Sequence, residues 1–71
     1  MDNEDICRRF GQNVRRIRRL QELSQEKLAE LADLHRTYIT SLERSGGRNP
    51  TIRAAGKIAK ALNVPISALF E

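Results

Sequence analysis

The segment Ser24–Arg44, SQEKLAELADLHRTYITSLER, constrains this chain more than any other. Its apolar residues recur at the spacing of two short helices joined by a tight turn. Leu28, Ala32, Ile39 and Leu42 supply side chains to a shared core. Ala29 offers a small contact where the two helices cross, and Asp33 and Leu34 form the turn. The second helix of the pair is polar on its other side. With Ile39 and Leu42 turned inward, about 100° per residue sends Thr37 and Ser41 directly away. Thr40 and Arg44 lie beside them. Such a pair matches a helix-turn-helix, whose second helix enters the DNA major groove.

At 71 residues the whole chain, 1–71, reads as one domain with a small core. Small cores are marginal, so oligomerisation would add stability. The single cysteine, Cys7, allows no internal disulfide and no cysteine-based zinc site. It reads as a small apolar residue of the surface or core. No apolar run approaches about 18 residues, and no signal-peptide pattern is present. A cytoplasmic location without a membrane partner is expected. A net charge of +4 and a pI near 10.0 favour a polyanionic partner. Many basic chains bind no nucleic acid, so the placement of the charge matters more than its sum.

Met1 to Asp5 is acidic and polar, a frayed end or a helix cap. From Ile6 to about Gln21 the residues Ile6, Phe10, Val14 and Ile17 predict one apolar helix face, extended by Leu20. Arg8, Arg15 and Arg19 take the opposite face, flanked by Arg9, Arg16 and Arg18. Gly11 weakens this helix slightly. Ser24 is a good N-cap for a second helix over Gln25–Ala32. The third runs from His35 or Arg36 to Arg44. The SGGRNP segment then breaks the pattern with two glycines and a proline. Thr51 caps a fourth helix, Ile52–Leu62, with Ile52, Ala55, Ile58, Ala59 and Leu62 on one face. Asn63 ends it in a left-handed conformation. Pro65 opens a short fifth helix carrying Ile66, Leu69 and Phe70. No strand pattern, repeat or linker appears. The expected fold is all-α, a compact five-helix bundle.

With these helices placed, the chain resembles the lambda-repressor-like helix-turn-helix family of phage repressors, Cro proteins and small bacterial regulators. The likeness spans about Phe10 to Phe70. LSQEKLAELADL is similar to the family's second helix and turn, and KIAKALNVPISALF to its fourth and fifth helices. HRTYITSLERSGGRNPTI looks most like the controller proteins of restriction–modification systems, which are small dimeric regulators. One departure is Asp33, where the family often has glycine. Aspartate tolerates positive φ, so the turn survives at a small cost.

The resemblance implies that Arg36, Thr37, Tyr38 and Ser41 contact DNA. Arg36 stands where recognition helices reach base edges and can pair with guanine O6 and N7. Thr37 can meet a base, a phosphate or a thymine methyl; Ser41 is short enough to need a bridging water. Tyr38 either packs beside Leu42 or reaches a phosphate through its hydroxyl. His35 is a DNA contact, a cap or a surface residue, and has no second histidine for a metal pair.

Ser24 and Gln25 begin the second helix, where backbone N–H groups and the macrodipole attract phosphate. By the resemblance, the Gln25 side chain is also at the phosphate; capping by Ser24 is compatible with this. Arg44, Arg48 and Asn49 are implied as further phosphate contacts, with Gly46 and Gly47 permitting close backbone approach. The plain alternative for SGGRNP is a flexible loop. Glu43 does not suit a DNA face, and the family pairs such a glutamate with a first-helix base, here Arg18. The other first-helix arginines form a solvated face or distal phosphate contacts. Ile66, Leu69 and Phe70 crowd the last six residues and are read as a homodimer interface.

The leading functional expectation is therefore a dimeric, sequence-specific regulator that binds double-stranded DNA on a pseudo-palindromic operator. RNA polymerase is a second candidate partner. An antitoxin-type protein-binding module that also binds DNA is the alternative. Antitoxins of this fold usually carry an extra segment, and the chain stops one residue after Phe70. No catalytic site, cofactor or metal site is expected: there is no nucleophile–base pair and no glycine-rich phosphate cradle.

Overall fold

The computed structural model describes the backbone of residues 3–44 and 48–71, and side chains from residue 6 onward within those ranges. Met1 and Asp2 of the polar N-terminal segment, and Gly46 and Gly47 of the SGGRNP segment, lie outside the described backbone. Four α-helices follow in order: α1 Asn3–Leu20, α2 Gln25–Ala32, α3 Arg36–Glu43 and α4 Ile52–Leu62. A 3-10 turn, Ile66–Phe70, closes the described chain.

No strand occurs among the described residues, so the all-helical expectation stands. The count of five α-helices does not. The last element has only five residues, too few to offset α-helix nucleation, and it tightens into 3-10 geometry. No described helix is long and apolar enough to cross a membrane.

The helix ends follow from capping chemistry. Ser24 Oγ accepts from the Lys27 N–H at 2.9 Å, and Thr51 Oγ1 from the Ala54 N–H at 3.0 Å. Three helices end on a left-handed residue that is not glycine: Glu22 (φ 57°), Asp33 (φ 57°) and Asn63 (φ 58°). In each case the next residue donates its N–H five positions back. Leu23 reaches Arg18 O at 3.0 Å, Leu34 reaches Ala29 O at 2.9 Å, and Val64 reaches Ala59 O at 3.0 Å. Leu23, Leu34 and Val64 then pack against the core. This is the hydrophobic contact that accompanies such a helix end. Asp33 and Asn63 thus behave as their sequence positions predicted.

Phe10 and Val14 of α1, Leu28 of α2, Ile39 and Leu42 of α3, and Ile58 and Leu62 of α4 are fully buried together. α1 packs on α3 and on the 3-10 turn; α2 packs on α3 and α4. Gly11 lies where α1 crosses α3. A methyl group there would overlap the Leu42 carbonyl oxygen. Gly11 is therefore needed for close helix approach, a role that its weak helix propensity did not reveal.

Three apolar assignments are corrected by packing. Leu20 is 73% exposed. α1 ends there, and the neighbouring Gln21 reaches the C-terminus of α4, donating from Nε2 to Leu62 O at 2.7 Å. Ile52 is 89% exposed because it is the first residue of α4, at the edge of the fold. The third correction is Leu69, which is 0% exposed and belongs to the core. Asn13 holds its segment down by donating from Nδ2 to Leu69 O at 3.0 Å and to Glu71 O at 3.1 Å.

Candidate nucleic-acid interface

α3 is divided along its length by its own residue pattern. Ile39 and Leu42 anchor it in the core, while Arg36 and Thr37 at its N-terminal end are exposed. Arg36 Nη1 lies 3.7 Å from Glu26 Oε2, with both side chains mostly in solvent. A pair this exposed holds the guanidinium only weakly. Arg36 therefore stays available to a ligand.

Ser41 is half-buried and belongs to a cluster with Tyr38 and Arg48. Its hydroxyl donates to Tyr38 O at 3.1 Å and accepts from Arg48 Nη1 at 3.2 Å. The Arg48 guanidinium sits 4.6 Å from the centre of the Tyr38 ring, a cation–π contact. The Tyr38 hydroxyl accepts from the Thr51 N–H at 3.3 Å, and its hydroxyl proton stays free for an acceptor. Tyr38 also packs against the core, so its packing role is realised in this structure. Asn49 is placed differently. It borders an apolar cavity with Pro50 and Thr51.

At the start of α2, the Ser24 hydroxyl caps Lys27 as acceptor and keeps its own proton to donate. Gln25 departs from its expected posture. Its Nε2 donates to Glu43 Oε1 at 3.1 Å, and its Oε1 accepts from Thr40 Oγ1 at 2.9 Å. Both ends of the amide are engaged internally. The donors that the start of α2 leaves for a phosphate are thus its first backbone N–H groups and the Ser24 hydroxyl, not the Gln25 side chain. Thr40, placed on the outward face by periodicity, turns instead to orient Gln25.

Behind this edge, Arg18 Nε and Nη2 donate to the two Glu43 carboxylate oxygens at 2.8 Å each. Arg18 Nη1 also donates to Leu23 O at 2.7 Å. The hydrogen bond to Glu43 raises the Arg18 pKa above its ordinary value, against the opposing effect of burial. The Arg18–Glu43 pair expected from the sequence is present, and it fixes α1 to α3.

Arg44 is exposed just past α3. It shares a groove of about 250 Å3 with Arg15 and Arg19 of α1 and with Gln25 and Thr40. Sequence periodicity placed Arg15 and Arg19 on the outer face of α1 but did not show that this face borders α3.

Of the three residues assigned to a dimer contact, Leu69 is withdrawn by its burial. Ile66 and Phe70 are exposed, at 43% and 40%. They line an apolar cavity of about 180 Å3 with Ile6, Ile52 and the half-buried Cys7. The Phe70 ring lies 5.2 Å from that of Phe10.

Residues 14–69 match the helix-turn-helix family model. The chain is 45% identical to Control protein C.SmaI of Serratia marcescens, over 99% of its own length and 88% of that protein's. Among solved structures, the restriction-modification controller protein C.AhdI from Aeromonas hydrophila is similar at a TM-score of 0.84 and 41% identity, covering 90% of this chain and 96% of that one. The structure of C.Esp1396I bound to a 19 base pair DNA duplex is similar at a TM-score of 0.81 and 34% identity, covering 92% of this chain and 85% of that one.

Proposed function

The chain belongs to the helix-turn-helix family, and from that premise we propose that it is a DNA-binding transcriptional regulator of a restriction–modification operon. One observation carries this reading. α3 is anchored by Ile39 and Leu42 and exposes Arg36 and Thr37, in a fold shared with a controller protein seen on duplex DNA.

In this reading α3 enters the major groove. Arg36 pairs with a guanine, Thr37 meets the next base, and Ser41 reaches base edges through water. Ser24, the backbone at Gln25, Tyr38, Arg44, Arg48 and Asn49 hold phosphates and set the register. The chemistry is binding, with no reaction catalysed, and it takes place in the bacterial cytoplasm.

The regulator works as a homodimer. Ile6, Ile52, Ile66 and Phe70 expose one apolar patch around a shallow cavity, and a second copy offers the same patch in return. Such a self-complementary contact closes with two-fold symmetry. It sets two copies of α3 about 34 Å apart on one face of the duplex.

Selection of bound sequences from a random duplex pool tests the proposal. The expected product is a consensus of two inverted half-sites about one helical turn apart. Its match should lie upstream of adjacent methyltransferase and endonuclease genes. Failure to enrich any sequence would remove the regulator reading, and a consensus found only elsewhere would remove the operon assignment.

A further inference from the structure

We propose that Arg15 and Arg19 of α1, with Arg44 after α3, form a second phosphate-binding arm that grips the DNA backbone flanking each half-site. The proposal rests on the DNA-binding reading above and extends its contact surface to α1.

Arg15 and Arg19 stand four positions apart, on one helix face, and both are exposed. Between them Arg18 turns the other way, into its bidentate contact with Glu43. The two exposed arginines form one wall of the groove shared with Arg44, with Gln25 and Thr40 lining it. The acidic group of this groove, Glu43, is already neutralised by Arg18. Among the described residues the ion pairs use Arg18, Lys27, Arg36 and Lys57, and none of the three groove arginines. Three cations therefore face one concavity without an internal counter-charge, an arrangement that concentrates positive potential.

Position selects the ligand. Gln25 belongs both to this groove and to the adjoining one bordered by Ser24, Glu26 and Arg36. The cationic groove thus continues from the edge proposed to meet DNA. Four residues advance α1 by about 6 Å. That is of the order of the distance between neighbouring phosphates along one strand. Arg15 and Arg19 can hold separate phosphates of the same strand. Arg19 also lies in the last turn of α1, where a cation complements the helix dipole; Arg15, a turn earlier, has no such explanation.

The test measures affinity against salt for the full chain on its selected duplex. The Arg15→Ala/Arg19→Ala variant should make the slope of log K against log salt shallower by about 2, at about 0.9 for each phosphate. Affinity should fall alike for specific and random duplexes, with the base preference unchanged. An Arg8→Ala/Lys60→Ala variant removes the same charge outside the groove and should change the slope by less than half as much. Trimming the duplex to its two half-sites should bring the wild-type slope down to that of the groove variant. A groove variant with the wild-type slope, or a wild-type slope that survives trimming, would overturn the proposal while leaving the regulator reading intact. A wild-type chain that binds no duplex overturns both. Capture of an acidic protein by the groove, with DNA affinity unaffected in the variant, would reassign the groove to that partner.

Discussion

Arg18 and Glu43, 25 positions apart, meet through two parallel hydrogen bonds of 2.8 Å that tie α1 to the end of α3. The contact is largely shielded from water, and Glu43 also accepts from Gln25 Nε2 at 3.1 Å. One carboxylate thereby couples the first helix, the start of α2 and the helix proposed to read DNA.

Glu43→Ala should destabilise the fold by about 3–5 kcal/mol, because it leaves the Arg18 charge buried without a partner. An Arg18→Met/Glu43→Leu double variant should recover most of that loss. Urea unfolding of the three proteins decides this; equal losses in the single and double variants would show that the unpaired charge is not the cause. The raised Arg18 pKa adds no pH dependence below strongly alkaline conditions. A raised folded-state value contributes stability in full below the unfolded value and loses it only as pH rises through the folded one.

Gly11→Ala should destabilise, against the gain of about 1 kcal/mol that alanine usually brings to a helix interior. Its methyl group meets the Leu42 carbonyl, a backbone atom that cannot swing aside. A net loss of about 1–3 kcal/mol is expected from overpacking. Gly56 is the control: nothing lies within 4 Å of a methyl group there. Gly56→Ala should therefore stabilise by about 0.5–1 kcal/mol. Thermal unfolding that moves both variants in the same direction would contradict this account.

Leu69→Glu should unfold the chain, whereas Ile66→Glu should leave a folded monomer. Leu69 is enclosed in the core, and Ile66 lies on the exposed apolar patch. Circular dichroism and sedimentation separate the two outcomes. A folded Leu69→Glu protein would contradict the burial, and a dimeric Ile66→Glu protein would move the interface elsewhere.

Arg36→Ala should lose about 1–3 kcal/mol of discrimination at one base position in each half-site. Thr40→Val should act differently. It removes the hydroxyl that pins the Gln25 side chain to α3, loosening the start of α2 whose backbone is proposed to hold phosphate, and should weaken all sequences alike. Sequence selection with each variant distinguishes the two. An unchanged preference in the first, or a changed one in the second, would contradict the assigned roles.

Much of the fold was legible because it is local. Three- and four-residue spacing placed α2 and α4 with their observed bounds, Gln25–Ala32 and Ile52–Leu62. Ser24 and Thr51 announced their caps because a hydroxyl needs only the N–H three residues on. Asp33 and Asn63 could take positive φ without reference to the rest of the chain. The exposure of Arg36 and Thr37 on α3 followed once Ile39 and Leu42 were set inward, whereas Thr40 and Ser41 turned to internal partners.

Tertiary structure decided whatever depends on which neighbour arrives. Leu69, Ile52 and Leu20 are equally apolar, and periodicity gives each a helix face without saying what covers it. Asn13 and the core bring Leu69 inside, while Ile52 and Leu20 sit at helix ends where no element packs over them. Gln25 offered an amide to solvent until Thr40 and Glu43 came within reach of it. Gly11 was merely a poor helix former until α3 crossed it. Arg15 and Arg19 were one side of a helix until folding set them beside Arg44. Helix register and capping are settled within a few residues along the chain. Burial, close approach and shared grooves are settled between segments far apart in it, and so they belong to the packed structure.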